Sequence, residues 1–134
     1  MTFVVLDTDV ASASFLGRLP DHLHAWLATR EPCTTFVTLG ELAKWTASRS
    51  RGPQRRAALA TWRQHVTVLR YDERVATTWG TLQARAQLRG RPRPVDDTWI
   101  AACCLAEGLP LATLRAEDFA AFATYDGLQL VDMT

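Results

Sequence analysis

The sequence predicts an α/β fold: a mainly parallel sheet of four to five short strands with helices on both faces. Three observations predict it. Short apolar runs rich in β-branched residues recur along the chain, beginning with Phe3 to Leu6 (FVVL), and runs this short between polar residues read as buried strands. The stretches between them carry apolar residues at helical spacing, and such alternation of strand and helix marks a parallel sheet covered on both sides. The 134 residues contain no linker, repeat or low-complexity tract. That is one domain, residues 1–134, long enough to bury a core of its own.

The elements follow in order. The first strand, Phe3 to Leu6, ends at Asp7, and Asp9 or Ser12 is expected to cap the first helix. A second helix covers Pro20 to Arg30, with Leu23, Trp26 and Leu27 on one face. Thr34 to Val37 reads as the second strand, and Thr38-Leu39-Gly40-Glu41 opens a helix through Ser48. A basic turn from Arg49 to Pro53 leads into a helix from Gln54 to His65, then a third strand from Val66 to Leu69. Asp72 starts a long helix toward Gly90, with Val75, Trp79, Leu82 and Ala86 as its apolar face. The GRPRP run, Gly90 to Pro94, breaks it. The next helix, Val95 to Gly108, ends with Gly108 in the position that favours a left-handed residue. Leu109 to Thr113 is a fourth strand, Glu117 to Ala123 a short helix, and Leu128 to Val131 the last strand.

Composition narrows the classes. Hydrophobic residues make up 48% and charged residues 22%, which excludes a disordered chain. No apolar run is long enough for a transmembrane helix. The N-terminus, MTFVVLDTDV, has no basic region and carries two acids, unlike a signal peptide. Cys33, Cys103 and Cys104 are too few and too close for a disulfide framework and read as core residues. A reducing, cytoplasmic setting without membrane contact is expected.

The net charge of +1 conceals an asymmetry. Between Lys44 and Arg93 stand 12 basic residues against Asp72 and Glu73, and the rest of the chain has 12 acids against three bases. A middle segment this basic is either a surface for a polyanion or a solvated helical face. Arginine outnumbers lysine 14 to 1, which suits bidentate phosphate contacts but also follows from base composition.

In an open α/β sheet, sites form at the carboxyl ends of strands. Asp7 follows the first strand, Glu41 lies in the first turn of the helix after the second, and Asp118 comes after the fourth. Asp97 stands in the first turn of the helix preceding that fourth strand. Four carboxylates without thiolate or imidazole partners suit Mg²⁺ or Mn²⁺, and such a site supports metal-assisted phosphoryl transfer to water. Structural roles compete with this. Thr38-x-x-Glu41 fits a capping box, Asp96 and Asp97 favour a helix N-terminus, and Asp9 and Asp118 fit caps. Asp7, ending a buried strand, is the hardest to explain without a partner.

The ordered set Val5-Leu6-Asp7-Thr8-Asp9, Val37 to Leu42, Asp97-Thr98-Trp99-Ile100-Ala101-Ala102, Leu111-Ala112-Thr113 with Asp118-Phe119, and Gly127 to Val131 resembles a PIN domain. More narrowly it resembles the VapC-type toxins of bacterial toxin–antitoxin pairs. The resemblance implies a PIN-like three-layer α/β/α sandwich and a metal-dependent endoribonuclease. By motif position Asp7, Glu41 and Asp97 match the family's metal ligands, and Asp118 matches a fourth acid that serves a second cation or a bound water. Relatives often carry Asp or Asn two residues after the strand-end Thr. Here that residue is Arg115, which leaves the number of metals open. Thr8, Asp9 and Thr113 are expected to support the ligands through hydrogen bonds. Lys44, Arg49, Arg51, Arg91 and Arg93 are the candidates for holding RNA. Among the tryptophans, more often core than stacking platforms, Trp45 is the best placed to stack on a base. The resemblance also implies a cognate antitoxin and a homodimer, for which Phe15, Leu16, Leu23, Trp26 and Leu27 offer apolar surface.

Other functions fit less of the chain. A phosphatase using Asp7-Thr8-Asp9 needs a lysine well downstream, as does a receiver domain, and the only lysine is Lys44. A metal-free nuclease built on His22, His24 and His65 lacks a basic cluster beside the histidine pair. A PIN-like module that binds RNA or protein without cutting is kept open by Arg115.

Overall fold

The N-terminal apolar run becomes the middle of the sheet. The computed structural model describes residues 2–48, 50 and 52–134. Its strands are β1 (Phe3–Leu6), β2 (Glu31–Thr35), β3 (Thr67–Leu69), β4 (Leu111–Thr113) and β5 (Leu130–Asp132). They pair in the order β3-β2-β1-β4-β5, every neighbouring pair parallel. Successive side chains of a strand point to opposite faces, and β1 shows it. Val5 packs with Val75, Leu82, Ile100, Phe119 and Phe122, whereas Val4 and Leu6 pack with Val10, Leu27, Leu42 and Leu59. The first face is covered by α5 (Glu73–Leu88), α6 (Val95–Glu107) and α7 (Ala116–Asp126). The second is covered by α1 (Thr8–Phe15), α2 (Asp21–Ala28) and α4 (Gly52–Arg63). α3 (Phe36–Ser48) touches both, through Phe36 and Val37 at its start and Leu42 further on. The three-layer PIN-like sandwich expected from the sequence is present.

Several boundaries differ from the sequence expectation, each for a local reason. Asp7, not Asp9 or Ser12, caps α1 and accepts the Val10 N–H at 2.9 Å. The second strand is Glu31 to Thr35 rather than Thr34 to Val37. Pro32 argues against a strand because it lacks an N–H, but it pairs only with Val4, and β3 joins one residue later at Cys33. Phe36 and Val37 are helical because the Thr35 hydroxyl accepts the Thr38 N–H at 3.1 Å. The start of α3 is thereby fixed three residues upstream of the expected Thr38–Glu41 capping box, and Glu41 lies in its second turn. α4 begins at Gly52, where a Cβ would sit 2.8 Å from the Thr46 carbonyl oxygen. Only glycine admits that approach. α7 continues to Asp126, whose carboxylate is almost fully buried and lies 3.2 Å from Arg85 Nε on α5. As expected, Asp72 caps α5 and Gly108 ends α6 with φ +68°.

All three thiols are buried and unpaired. Burial pushes Cys33 up to about 11 and Cys103 up to about 12, in keeping with thiols packed in the core. The apolar face expected on the first two helices is largely consumed by the core, with Leu27 buried and Phe15, Leu23 and Trp26 packed against the second cluster. Among the described residues no helix is long and apolar enough to cross a membrane.

Candidate active site

The strand order fixes where a site can form. From β1 the chain runs through α1 and α2 on one face to β2, and from β4 it runs through α7 on the other face to β5. Between β1 and β4 the connections diverge, opening a crevice at the carboxyl ends of the two strands. Asp7 is the first residue past β1 and Thr113 the last of β4. Their strands pair Leu6 with Ala112, so the next residues stand level, and the Thr113 hydroxyl donates to Asp7 Oδ2. The Asp7 carboxyl is fully buried. Burial raises its pKa, while the bonds from Thr113 and Val10 oppose the shift.

Glu41 enters from α3. The Thr8 hydroxyl donates to Glu41 Oε1 at 3.1 Å and lies 3.1 Å from the Thr38 hydroxyl. Donors therefore run from Thr38 to Thr8 to Glu41. Burial pushes the Glu41 pKa up, and Asp96 and Asp97 add to the shift against the Thr8 bond. Asp97, in the first turn of α6, is also raised by burial, although Arg115 opposes the shift.

Arg115 occupies the centre of the remaining acids. Its Nη1 lies 2.9 Å from Asp118 Oδ2 and its Nη2 lies 3.4 Å from Asp97 Oδ1. Its Nε is 2.9 Å from Asp9 Oδ2, an ion pair without hydrogen-bond alignment. The Arg115 backbone N–H donates to the Thr113 hydroxyl at 2.8 Å, so the same residue steadies the donor to Asp7. Burial works against the guanidinium charge, yet Asp97, Asp9, Asp7 and Asp118 together hold it more firmly protonated than usual. Among the described residues no three Asp, Glu, His or Cys side chains are gathered closely enough to hold an ion as they stand. The chemistry nevertheless fits a hard divalent cation. The donors are carboxylate oxygens, Asp7, Glu41 and Asp97 are poorly solvated, and a guanidinium already sits in their field as a stand-in cation.

A groove of about 600 Å³ opens beside Glu41, lined also by Val37, Gly40, Lys44, Trp45, Ser48 and Asp96. The Trp45 ring packs edge-on against Phe15, and the Arg55 guanidinium lies 4.2 Å from its centroid. A second, more apolar groove of about 520 Å³ runs between α3 and α4, with Phe36, Leu39, Ala43, Leu59 and Ala60 in its walls. Gly40 borders both grooves.

The remaining expected residues divide. Arg93 is at the site, donating to the Asp118 carbonyl at 2.7 Å and slightly opposing the rise in the Asp97 pKa. Arg91 is exposed, and Arg49 and Arg51 lie outside the described residues. Much of the basic segment is otherwise engaged. Arg74 pairs with Asp72 and Glu107, Arg85 and Arg89 face Asp126, and Arg56 and Arg63 border the apolar groove. Two features were missed. Thr38 works through Thr8 on Glu41, and its spacing to Glu41 suggested only a cap. Arg115 contacts three acids at once, which its place after the fourth strand gave no means to see.

The PIN domain family model matches residues 4–125. Ribonuclease VapC5 of Mycobacterium tuberculosis is 33% identical over 131 residues, covering 96% of this chain and 92% of that protein. Ribonuclease VapC4 of the same organism is 35% identical over 90 residues, covering 65% of this chain and 68% of that protein. Among solved structures, VapBC-5 of M. tuberculosis, a member of the VapBC family of toxin–antitoxin systems, superposes with TM-score 0.74. It is 28% identical and covers 99% of this chain and all of that one. DNA-bound VapBC from Salmonella typhimurium superposes with TM-score 0.87 at 23% identity, covering 98% of each chain, a likeness of fold.

Proposed function

The chain belongs to the PIN domain family, and on that premise we propose that it is a metal-dependent endoribonuclease of the VapC kind, the toxin of a toxin–antitoxin pair. The observation that carries this reading is the buried Asp7 carboxyl, tied to Thr113 across the crevice between β1 and β4, with Glu41 held by the adjacent Thr8 and Asp97 held by Arg115. Asp7, Glu41 and Asp97 would hold Mg²⁺ or Mn²⁺, which supplies charge stabilisation at the scissile phosphate and a water of lowered pKa. The chain's own groups do the positioning. Val10 and Thr113 fix the Asp7 oxygens, and Thr8, backed by Thr38, fixes Glu41. Lys44 offers a point charge to a backbone phosphate, and Trp45 offers a ring edge to a base, both in the groove that begins at Glu41. Asp118 acts through Arg115 rather than alone.

Incubation of bacterial RNA with the purified chain in Mg²⁺ or Mn²⁺ tests the reading. Discrete fragments are expected, with cleavage abolished by EDTA and restored by excess metal. Cutting that persists in EDTA would overturn metal dependence. The raised carboxyl pKa values add a pH signature. Protons compete with the ion at higher pH than they would for ordinary carboxylates, so binding is full near neutrality and is lost as pH falls through the raised range. Calorimetric Mn²⁺ titration is expected to show affinity dropping by more than about tenfold between about pH 7.5 and about pH 5, and a flat profile would refute it.

An antitoxin segment lying in the apolar groove between α3 and α4 would reach the site at Gly40, which supports a protein partner of that kind. The same reading places the chain in the cytoplasm and includes a homodimer. A second reading, a module that binds RNA without cutting, is favoured by one observation: Arg115 already pairs with three carboxylates. RNA retention without cleavage under every metal condition would select it.

A further inference from the structure

We propose that Arg115 is a built-in second cation of this site, so that the site is complete with one divalent ion. The proposal rests on the metal-dependent reading above. Each guanidinium nitrogen of Arg115 faces a different carboxylate. Nε faces Asp9 on α1, Nη2 faces Asp97 on α6 and Nη1 faces Asp118 on α7, at 2.9, 3.4 and 2.9 Å. Three acids from three elements meet at one point only when something positive stands between them, because close carboxylates raise one another's pKa and repel. A divalent ion would serve, and Arg115 serves in its place.

The residue is also anchored. Its backbone N–H is held by Thr113, its guanidinium lies 5.7 Å from the Phe119 ring centroid, and its side chain is about one-third exposed. An arginine on a mobile stem would lend the site no fixed charge, whereas this one has a fixed backbone and three fixed partners. The ligands left for one ion lie away from its contacts. Arg115 engages Oδ1 of Asp97, and Glu41 takes its hydrogen bond from Thr8 on Oε1. Oδ2 of Asp97 and Oε2 of Glu41 accept no hydrogen bond among the described residues. Two divalent ions would instead have to displace the guanidinium or share Asp97 with it, and a charge at this distance opposes the second ion strongly.

A second consequence is structural. With Arg115 in place the repulsion among the acids is partly relieved without any ion, so the metal-free protein keeps its fold. Without Arg115 the neutralising role falls to metal, and stability becomes metal-dependent.

The test uses Mn²⁺ as probe, with three proteins: the unaltered chain, Arg115→Gln and Arg115→Lys. Stoichiometry is counted by electron paramagnetic resonance of free Mn²⁺, and melting is followed by circular dichroism with EDTA or Mn²⁺. The unaltered chain is expected to bind one Mn²⁺ and to melt at nearly the same temperature with or without it. Arg115→Gln, which keeps most of the stem against Phe119, is expected to bind two Mn²⁺. Its first ion should be held at least about tenfold more tightly, and Mn²⁺ should raise its melting temperature well beyond the change seen in the unaltered chain. Arg115→Lys keeps the charge and should bind one. Two ions in the unaltered chain, or equal stoichiometry and equal metal-induced stabilisation in the unaltered and glutamine proteins, would overturn the proposal and leave the nuclease reading standing. Absence of Mn²⁺ binding in all three would overturn both.

Discussion

Asp7→Asn is expected to lower RNA cleavage by at least about a hundredfold while leaving the fold intact. The two halves of this expectation come from the two oxygens. Oδ1 accepts the Val10 N–H at the start of α1, and asparagine caps a helix about as well as aspartate. Oδ2 receives the Thr113 hydroxyl at the crevice between β1 and β4, and there an amide brings neither the charge nor the oxygen donor of a carboxylate. The loss should appear in kcat with an unchanged circular dichroism spectrum and a similar melting temperature. Cleavage within a few-fold of the unaltered chain, in the same metal, would remove Asp7 from the chemistry. Asp7→Ala is the less informative change, since it deletes the cap as well.

Phe122→Ala is expected to destabilise the chain by about 3–5 kcal/mol. The ring is fully buried, packs against Phe119 with centroids 6.2 Å apart, and belongs to the cluster that covers the Val5 face of the sheet. Removing it leaves a void that the strands on one side and α6 on the other are poorly placed to close. For a single domain with a total stability of about 5–15 kcal/mol, that is a large share. Urea denaturation should show a lower midpoint at nearly constant slope. A change below about 1 kcal/mol would mean that α7 collapses onto the sheet when the ring is lost. Because α7 also carries Asp118, such a collapse would shift the ion pair with Arg115.

The fold was legible wherever the local signal and the tertiary outcome agreed. FVVL is short, β-branched and bounded by Asp7, and from Val4 to Leu6 it is a buried strand in the middle of the sheet. Asp72 and Gly108 carry their boundary chemistry in their own residue types. The second strand was displaced because Pro32 argues against a strand in isolation, and the reason it is tolerated, an unpaired level on the β3 side, exists only once the sheet is assembled. Phe36 and Val37 have strand propensity, but the Thr35 cap and the packing of α3 override it. Propensity of this kind is a weak prior against tertiary context.

At the site, residue types were more readable than their partners. Carboxylates after strands are visible in one dimension, but the Thr38–Thr8–Glu41 relay joins Thr8 to residues 30 and 33 positions away. The charge excess of the middle segment is real as composition, and part of it is paired within the fold. Arg85 and Arg89 answer a buried Asp126, and Arg74 answers Glu107. Sequence counts the arginines but not the acids that each one meets.

The bond between Asp7 and Thr113 spans 106 positions, and this separation has a consequence in time. The central strand β1 is made well before its neighbour β4, with β2 and β3 between them in the chain. Contacts this distant in sequence slow folding, and a chain emerging from the ribosome cannot form this one until Thr113 has been made. Until then Asp7 has no Thr113, and neither Arg115 nor Asp118 has been made. An unfinished chain therefore carries the first carboxylate without the crevice that would employ it. The candidate site is incomplete until β4 and the start of α7 have both been made.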